Sequence, residues 1–409
     1  MDNYDIVVAG GGVIGCAAAR AILLQNPGLK LCLIEKEKEL AFHQSGRNSG
    51  VIHAGYNQKP GTLKAKLVVE GNRRLREFCL ERNIPMVQDG ILVVARTEPE
   101  IAVLKTLLER AKANGAKAEW VDEKGITQIE PHARGLAGLL APEAASFDSK
   151  GYVAALGEEI RSKGAEISLG EQITGLKETA RHVEITTSRR VLQCGFFLGA
   201  GGLQADRIAQ MMGLCRDYRI IPFRGDYYEL TPQRRHLTRA HIYPAPDPQF
   251  PFLGPHFSRT FDGRVLVGPG AAIALSRESY GRFSFNLDDL RQMAGDRAFW
   301  RMLLSPRFLD LARREWRKAV FKRSLVRDAR RLVPELRAAD VRYSHAGIRA
   351  QMIGSDGRLV DDMLIEQTPR SRHVLNAVSP ALTCSLPFSS YIATSPNASS
   401  YTPISVNDI

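Results

Sequence analysis

Two groups of chemistry-bearing residues stand close together near the N-terminus. The first is Gly10-Gly11-Gly12-Val13-Ile14-Gly15, a G-x-G-x-x-G run, with Glu35 placed 25 positions after Gly10. The second is SGRNSGVIHAG, residues 45 to 55, which puts Ser45, Arg47, Asn48, Ser49 and His53 in one short stretch. In the first group Gly10 permits a tight turn, Gly12 lets the backbone approach a pyrophosphate, and Gly15 lets a helix pack close to a strand. The free amides of that helix, around Val13 and Ile14, then hold the phosphates. Glu35, with Lys36 beside it, accepts hydrogen bonds from ribose hydroxyls and argues against a 2′-phosphate. The second group is too polar and Gly-rich for a strand or a core helix. It offers an Arg and hydroxyls to a polar anionic ligand, and an imidazole, the commonest general base near neutral pH.

The surrounding elements are of the kind such a site needs. YDIVVAG reads as a buried parallel strand, VIGCAAARAILLQN as a helix ending before Pro27 and Gly28, and LKLCLIEK as a second strand. A plain NAD domain continues with a helix and strand directly after the acid. This chain instead enters a long polar loop, and long ordered loops inside domains are usually functional. Further strand–turn–helix units are predicted at 191–212, with Ala200 and Gly201 in the turn, and at 372–393. A nucleotide domain gathered from both ends and the middle of a chain suits a larger cofactor, FAD. The expected fold is α/β: a discontinuous Rossmann-like FAD-binding domain (1–80, 145–215 and 335–409) with an inserted α+β substrate domain (81–144 and 216–334).

Bulk properties narrow the class. The 409 residues, 44% hydrophobic and 24% charged, describe an ordinary globular chain of two or three domains. No apolar run is long enough to span a membrane, and the N-terminus reads as a strand rather than a signal peptide. Six scattered cysteines without a CxxC pair read as reduced thiols of a cytoplasmic chain, not a metal site. Net charge is +12, and residues 301–331 hold 11 Arg or Lys against 3 Asp or Glu. Leu311, Trp316, Val320, Phe321 and Leu325 recur there at roughly helical spacing. That segment is either a solvated face packed on the core or a contact surface for anionic lipid on the inner face of the cell membrane. No RNA-recognition motif accompanies it, so no nucleic-acid partner is expected. The final SPNASSYTPISVNDI reads as a loose polar tail.

SGRNSGVIHAGY, KPGTLKAKLVVEGNRRL, IIPFRGDYYEL, IYPAPDPQFPFLGPHFSR, DGRVLVGPGA and AGIRAQ occur in this order along nearly the whole chain. Together they resemble the FAD-dependent D-amino-acid-oxidase-like superfamily and, within it, the L-2-hydroxyglutarate dehydrogenases and oxidases. The resemblance implies non-covalent FAD and hydride transfer from C2 of a 2-hydroxy dicarboxylate to flavin N5, with oxygen or a membrane quinone as acceptor. It implies that Ser45, Arg47, Asn48 and Ser49 lie along the flavin. It places His53 near the flavin ring as general base, or else as a residue that only pins the loop. His345 is the second candidate base. Arg349 faces a substrate carboxylate. Arg224 does so too, or pairs with Asp226 or Glu229. Tyr228 and Tyr243 donate to substrate oxygens, or sit half-buried in a sheet. Ile173 contacts adenine, Ala200 and Gly201 the phosphates, Gly347 the flavin, and Ala381, Leu382 and Thr383 its pyrimidine end, where Pro387 in the next helix departs from the expected pattern. Another 2-hydroxy acid, an amino acid or glycerol-3-phosphate stays open as substrate.

Overall fold

The computed structural model describes residues 2–247, 254–278, 280–281 and 284–393, with Arg307 described by its backbone only. The polar tail 395–409 lies outside the described residues.

Strand β1 (Asp2–Ala9), helix α1 (Val13–Gln25) and strand β2 (Leu31–Glu35) form the expected βαβ unit, β1 and β2 pairing in parallel. Their strands are apolar on both faces because helices cover both sides of the sheet. The strand Val191–Gly199 runs parallel to β1 on its other side, and Ser371–Asn376 runs parallel to Val191–Gly199. Segments far apart in sequence thus build one eight-stranded sheet. Ala17, Ala18 and Ala19 on α1 are small enough to let the helix Ser385–Ala393 pack closely, burying Phe388 completely. Burial of such a side chain contributes about 1.5–3 kcal/mol. Pro387 is tolerated because it sits in this helix's first turn, where its missing N–H has no intrahelical acceptor.

A second, nine-stranded mixed sheet carries the substrate side. Its longest pairing joins Tyr218–Leu230 to Val341–Gly354, antiparallel along their whole lengths. Val341–Gly354, expected within the 335–409 part of the FAD-binding domain, is therefore a strand of the second sheet. The loop after β2 also differs from expectation. It contains a 3-10 turn, Gln44–Gly46, and a two-residue strand, Val51–Ile52, whose apolar side chains are buried against Ala145–Phe147.

The basic segment forms two helices, Pro306–Val320 and Lys322–Ala329, broken at Phe321 where the backbone is extended. Leu311 and Leu325 face the core, but Trp316 is 59% exposed and Phe321 56% exposed.

Candidate active site

A cavity of about 1390 Å³ runs from the glycine turn of the first sheet to the long strands of the second. Its size exceeds the roughly 300–1,000 Å³ of ordinary small-ligand pockets. Gly10, Gly12, Val13, Ile14, Glu35, Lys36, Ser45, Arg47, Asn48, Ser49, Ile173, Ala200, Gly201, Gly347, Ala381 and Leu382 all line it, together with His53, Arg349 and Tyr243.

The glycines are there for steric reasons. Gly10 has φ +107°, and a Cβ on it would lie 2.4 Å from the Ala200 carbonyl oxygen. A Cβ on Gly15 would lie 1.9 Å from the Gly10 oxygen, so α1 packs on the turn only with glycine there. Gly12 caps α1 without a side chain, which leaves first-turn amides to an anion. The Ser45 hydroxyl accepts from Val13 N–H at 2.9 Å, and the Glu35 carboxylate accepts from Gly11 N–H at 2.6 Å. Both side chains therefore shape the turn while lining the cavity. Asn48 is spent on the loop itself: its amide donates to the Gln44 and Ser45 carbonyls and accepts from Gly50 N–H. Arg47 lies over the Tyr280 ring at 4.0 Å. Lys36 is paired with Glu278 at 2.9 Å.

His53 is clamped through its backbone. Its N–H donates to Thr383 Oγ1 at 3.0 Å, and its carbonyl accepts from Asn72 Nδ2 at 3.1 Å. Thr383 thus holds the loop and does not line the cavity. The His53 imidazole points into the cavity, where burial, aided by His241 and Arg349, pushes its pKa down to about 4. It is neutral at pH 7 and able to accept a proton. Arg349 is half-buried, and loss of solvation lowers its pKa against the pull of Tyr227. Tyr243 packs on His256 with ring centres 4.2 Å apart, and burial raises the Tyr243 pKa.

Three of the expected catalytic residues do not reach the cavity. Phe223, Gly225 and Tyr227 line it, so the alternate residues of the same strand point away. Arg224 accordingly pairs with Asp226 at 2.8 Å and donates to the Tyr280 and Gly281 carbonyls. Tyr228 is buried in the apolar core of the second domain. His345 shares the parity of Gly347 but does not line the cavity; it lies directly across from Tyr227, with the two rings stacked at 4.7 Å. Tyr227, His256, Lys64 and Asn72 were not singled out from sequence. Their only advance signal was membership in the quoted stretches.

The model of the FAD dependent oxidoreductase family matches residues 5–393. The chain belongs to that family. This FAD dependent oxidoreductase is 38% identical over 412 residues to the mitochondrial L-2-hydroxyglutarate dehydrogenase of Nematostella vectensis, covering 96% of this chain and 90% of that protein. It is 36% identical over 390 residues to the L-2-hydroxyglutarate dehydrogenase of Escherichia coli (strain K12), covering 95% and 92%. The fold is similar to that of L-alpha-glycerophosphate oxidase from Mycoplasma pneumoniae with FAD bound: TM-score 0.75 at 23% identity, covering 96% and 95%. FAD is the cofactor of the oxidoreductase, and the cavity fits it. The uncapped turn at Gly12 suits a pyrophosphate, and the space continues past Arg47 and Ser49 to Gly347. A Cβ on Gly347 would lie 2.4 Å from the Arg47 carbonyl oxygen.

Proposed function

We propose that this protein oxidises L-2-hydroxyglutarate to 2-oxoglutarate. The observation that carries the reading is that dehydrogenases of that name match about 95% of the chain at 36–38% identity. The site's chemistry supports it. Arg349 takes the carboxylate next to the reacting carbon, because a guanidinium meets a carboxylate with two parallel hydrogen bonds. His53 accepts the proton of the C2 hydroxyl at a ring nitrogen. Bound FAD supplies the hydride acceptor at N5. An arriving dianion offsets the Arg349 charge that lowers the His53 pKa, so the base strengthens as substrate binds. Neutral His256, with its pKa pushed down to about 4 by burial, and Tyr227, pushed up to about 12, add donors without adding charge.

The test is an anaerobic flavin spectrum of the purified protein before and after addition of each enantiomer. Bleaching by L- but not D-2-hydroxyglutarate is the expected result. A yellow protein that does not bleach moves the substrate to another 2-hydroxy acid, an amino acid or glycerol-3-phosphate.

Electrons then pass to oxygen or a membrane quinone, and the surface favours the membrane. Trp300, Leu304, Trp316 and Phe321 are exposed among the arginines of 301–331, which suits an interfacial, anionic lipid surface. No helix of the described residues is long and apolar enough to cross a membrane, so the contact is peripheral. Co-sedimentation with vesicles containing anionic lipid is expected at low salt and is lost at high salt. Absence of binding at low salt removes the docking role.

A further inference from the structure

A dicarboxylate needs a second cation, and the cavity offers several. Lys36 is paired with Glu278, Arg207 with Asp289 at 2.6 Å, and Arg47 is stacked on Tyr280. Arg110 donates to the Asn57 carbonyl. Lys64 is different. It lies in the first turn of helix α2 (Leu63–Glu81), half-buried, and lines the same cavity as His53 and Arg349. Among the described residues its ammonium has no hydrogen bond or ion pair.

Helix α2 is held so that this side chain has a fixed origin. The Asp362 carboxylate accepts from Leu63 N–H at 2.9 Å and from Lys64 N–H at 3.3 Å. Two turns on, Asn72 of the same helix grips the His53 carbonyl. Gly71, between them, lies so close to Thr383 that a Cβ would stand 2.5 Å from its carbonyl oxygen. One rigid helix therefore sets both the base and this lysine. Burial lowers the Lys64 pKa, and the like charge of Arg349 adds to that, against the opposing pull of Asp362 and Asp361. Two cations facing one cavity repel each other, and a ligand carrying two carboxylates removes the repulsion.

We propose that Lys64 is the specificity residue of the site, binding the distal carboxylate of the substrate while Arg349 binds the one beside the reacting carbon. The assignment rests on the 2-hydroxyglutarate reading above. It explains how the site tells a dicarboxylate from a monocarboxylate of equal length.

The experiment uses the full-length holoprotein and follows anaerobic flavin bleaching against concentration of two acids. One is L-2-hydroxyglutarate. The other is L-2-hydroxyvalerate, which has a methyl where the distal carboxylate stands. Lys64→Met is expected to raise the half-bleaching concentration of hydroxyglutarate by about 10- to 100-fold, the value of a hydrogen bond to a charged group. Hydroxyvalerate is expected to be unaffected, and Lys64→Arg to recover most of the loss. Equal weakening of both acids, or no change with hydroxyglutarate, overturns the assignment. Should Lys64→Met lose its flavin, Lys64→Gln carries the same comparison. Wild-type protein that does not bleach with hydroxyglutarate overturns the substrate reading and this assignment with it, and does so before any variant is made.

Discussion

Arg349→Met is expected to lower kcat/KM for L-2-hydroxyglutarate by roughly 10²- to 10³-fold while FAD stays bound. The guanidinium is half-buried and lines the cavity within electrostatic reach of His53. Removing one partner of a buried, hydrogen-bonded charge pair costs about 2–5 kcal/mol, since the other charge is left unmatched. Here that other charge is the substrate's own carboxylate, so the ligand complex bears this cost. The loss should be equal for mono- and dicarboxylate substrates, because both carry the carboxylate that Arg349 is assigned. Steady-state kinetics with flavin absorbance as the loading control make the check. Unchanged kcat/KM removes Arg349 from the site.

His53→Asn is expected to lower kcat by about 10²- to 10⁴-fold, the range for loss of a general base. The pH profile gives a second readout. His53 must be neutral to accept a proton, and burial beside His241 and Arg349 holds its pKa at about 4 in the free protein. Wild-type kcat/KM should therefore rise with pH through about 4 and stay flat toward neutrality. The acid limb should vanish in His53→Asn. In Arg349→Met it should move to higher pH, because a cation that lowers the imidazole pKa is gone. A limb near pH 4 that survives in His53→Asn assigns it to another group, and His256 is then the first to examine, its own pKa being about 4.

The two expected site residues on Tyr218–Leu230 that miss the cavity share one cause. Arg224 and Tyr228 are two of its even-numbered residues, and the cavity is lined by the odd-numbered Phe223, Gly225 and Tyr227. A strand that is polar on one face and apolar on the other announces its parity. This strand does not, because it is buried on both faces from Ile220 to Phe223 and from Gly225 to Tyr228. His345, paired directly with Tyr227 across the two strands, stacks its ring on Tyr227 and does not line the cavity. By contrast, every expected residue of the glycine turn except Gly15 lines the cavity, and Gly15 is under it for the packing reason its position implies.

The sequence by itself determined the parts whose geometry is local. A tight turn, an open helix start and an acid at the end of the next strand depend on local sequence, so the cavity-lining turn was legible from Gly10 to Glu35. His53 was legible as a cavity-lining residue because it stands in a polar, Gly-rich stretch close behind the glycine turn. The tertiary structure decided everything carried by distant contacts. Thr383, 330 residues away, fixes the His53 backbone. Helix α2 brings Asn72 and Lys64 to the site, and strands far apart in sequence but joined in the second sheet put Tyr243, His256 and Arg349 along one space. Which face of a doubly buried strand meets that space is set by packing against other segments, and no pattern within the strand records it.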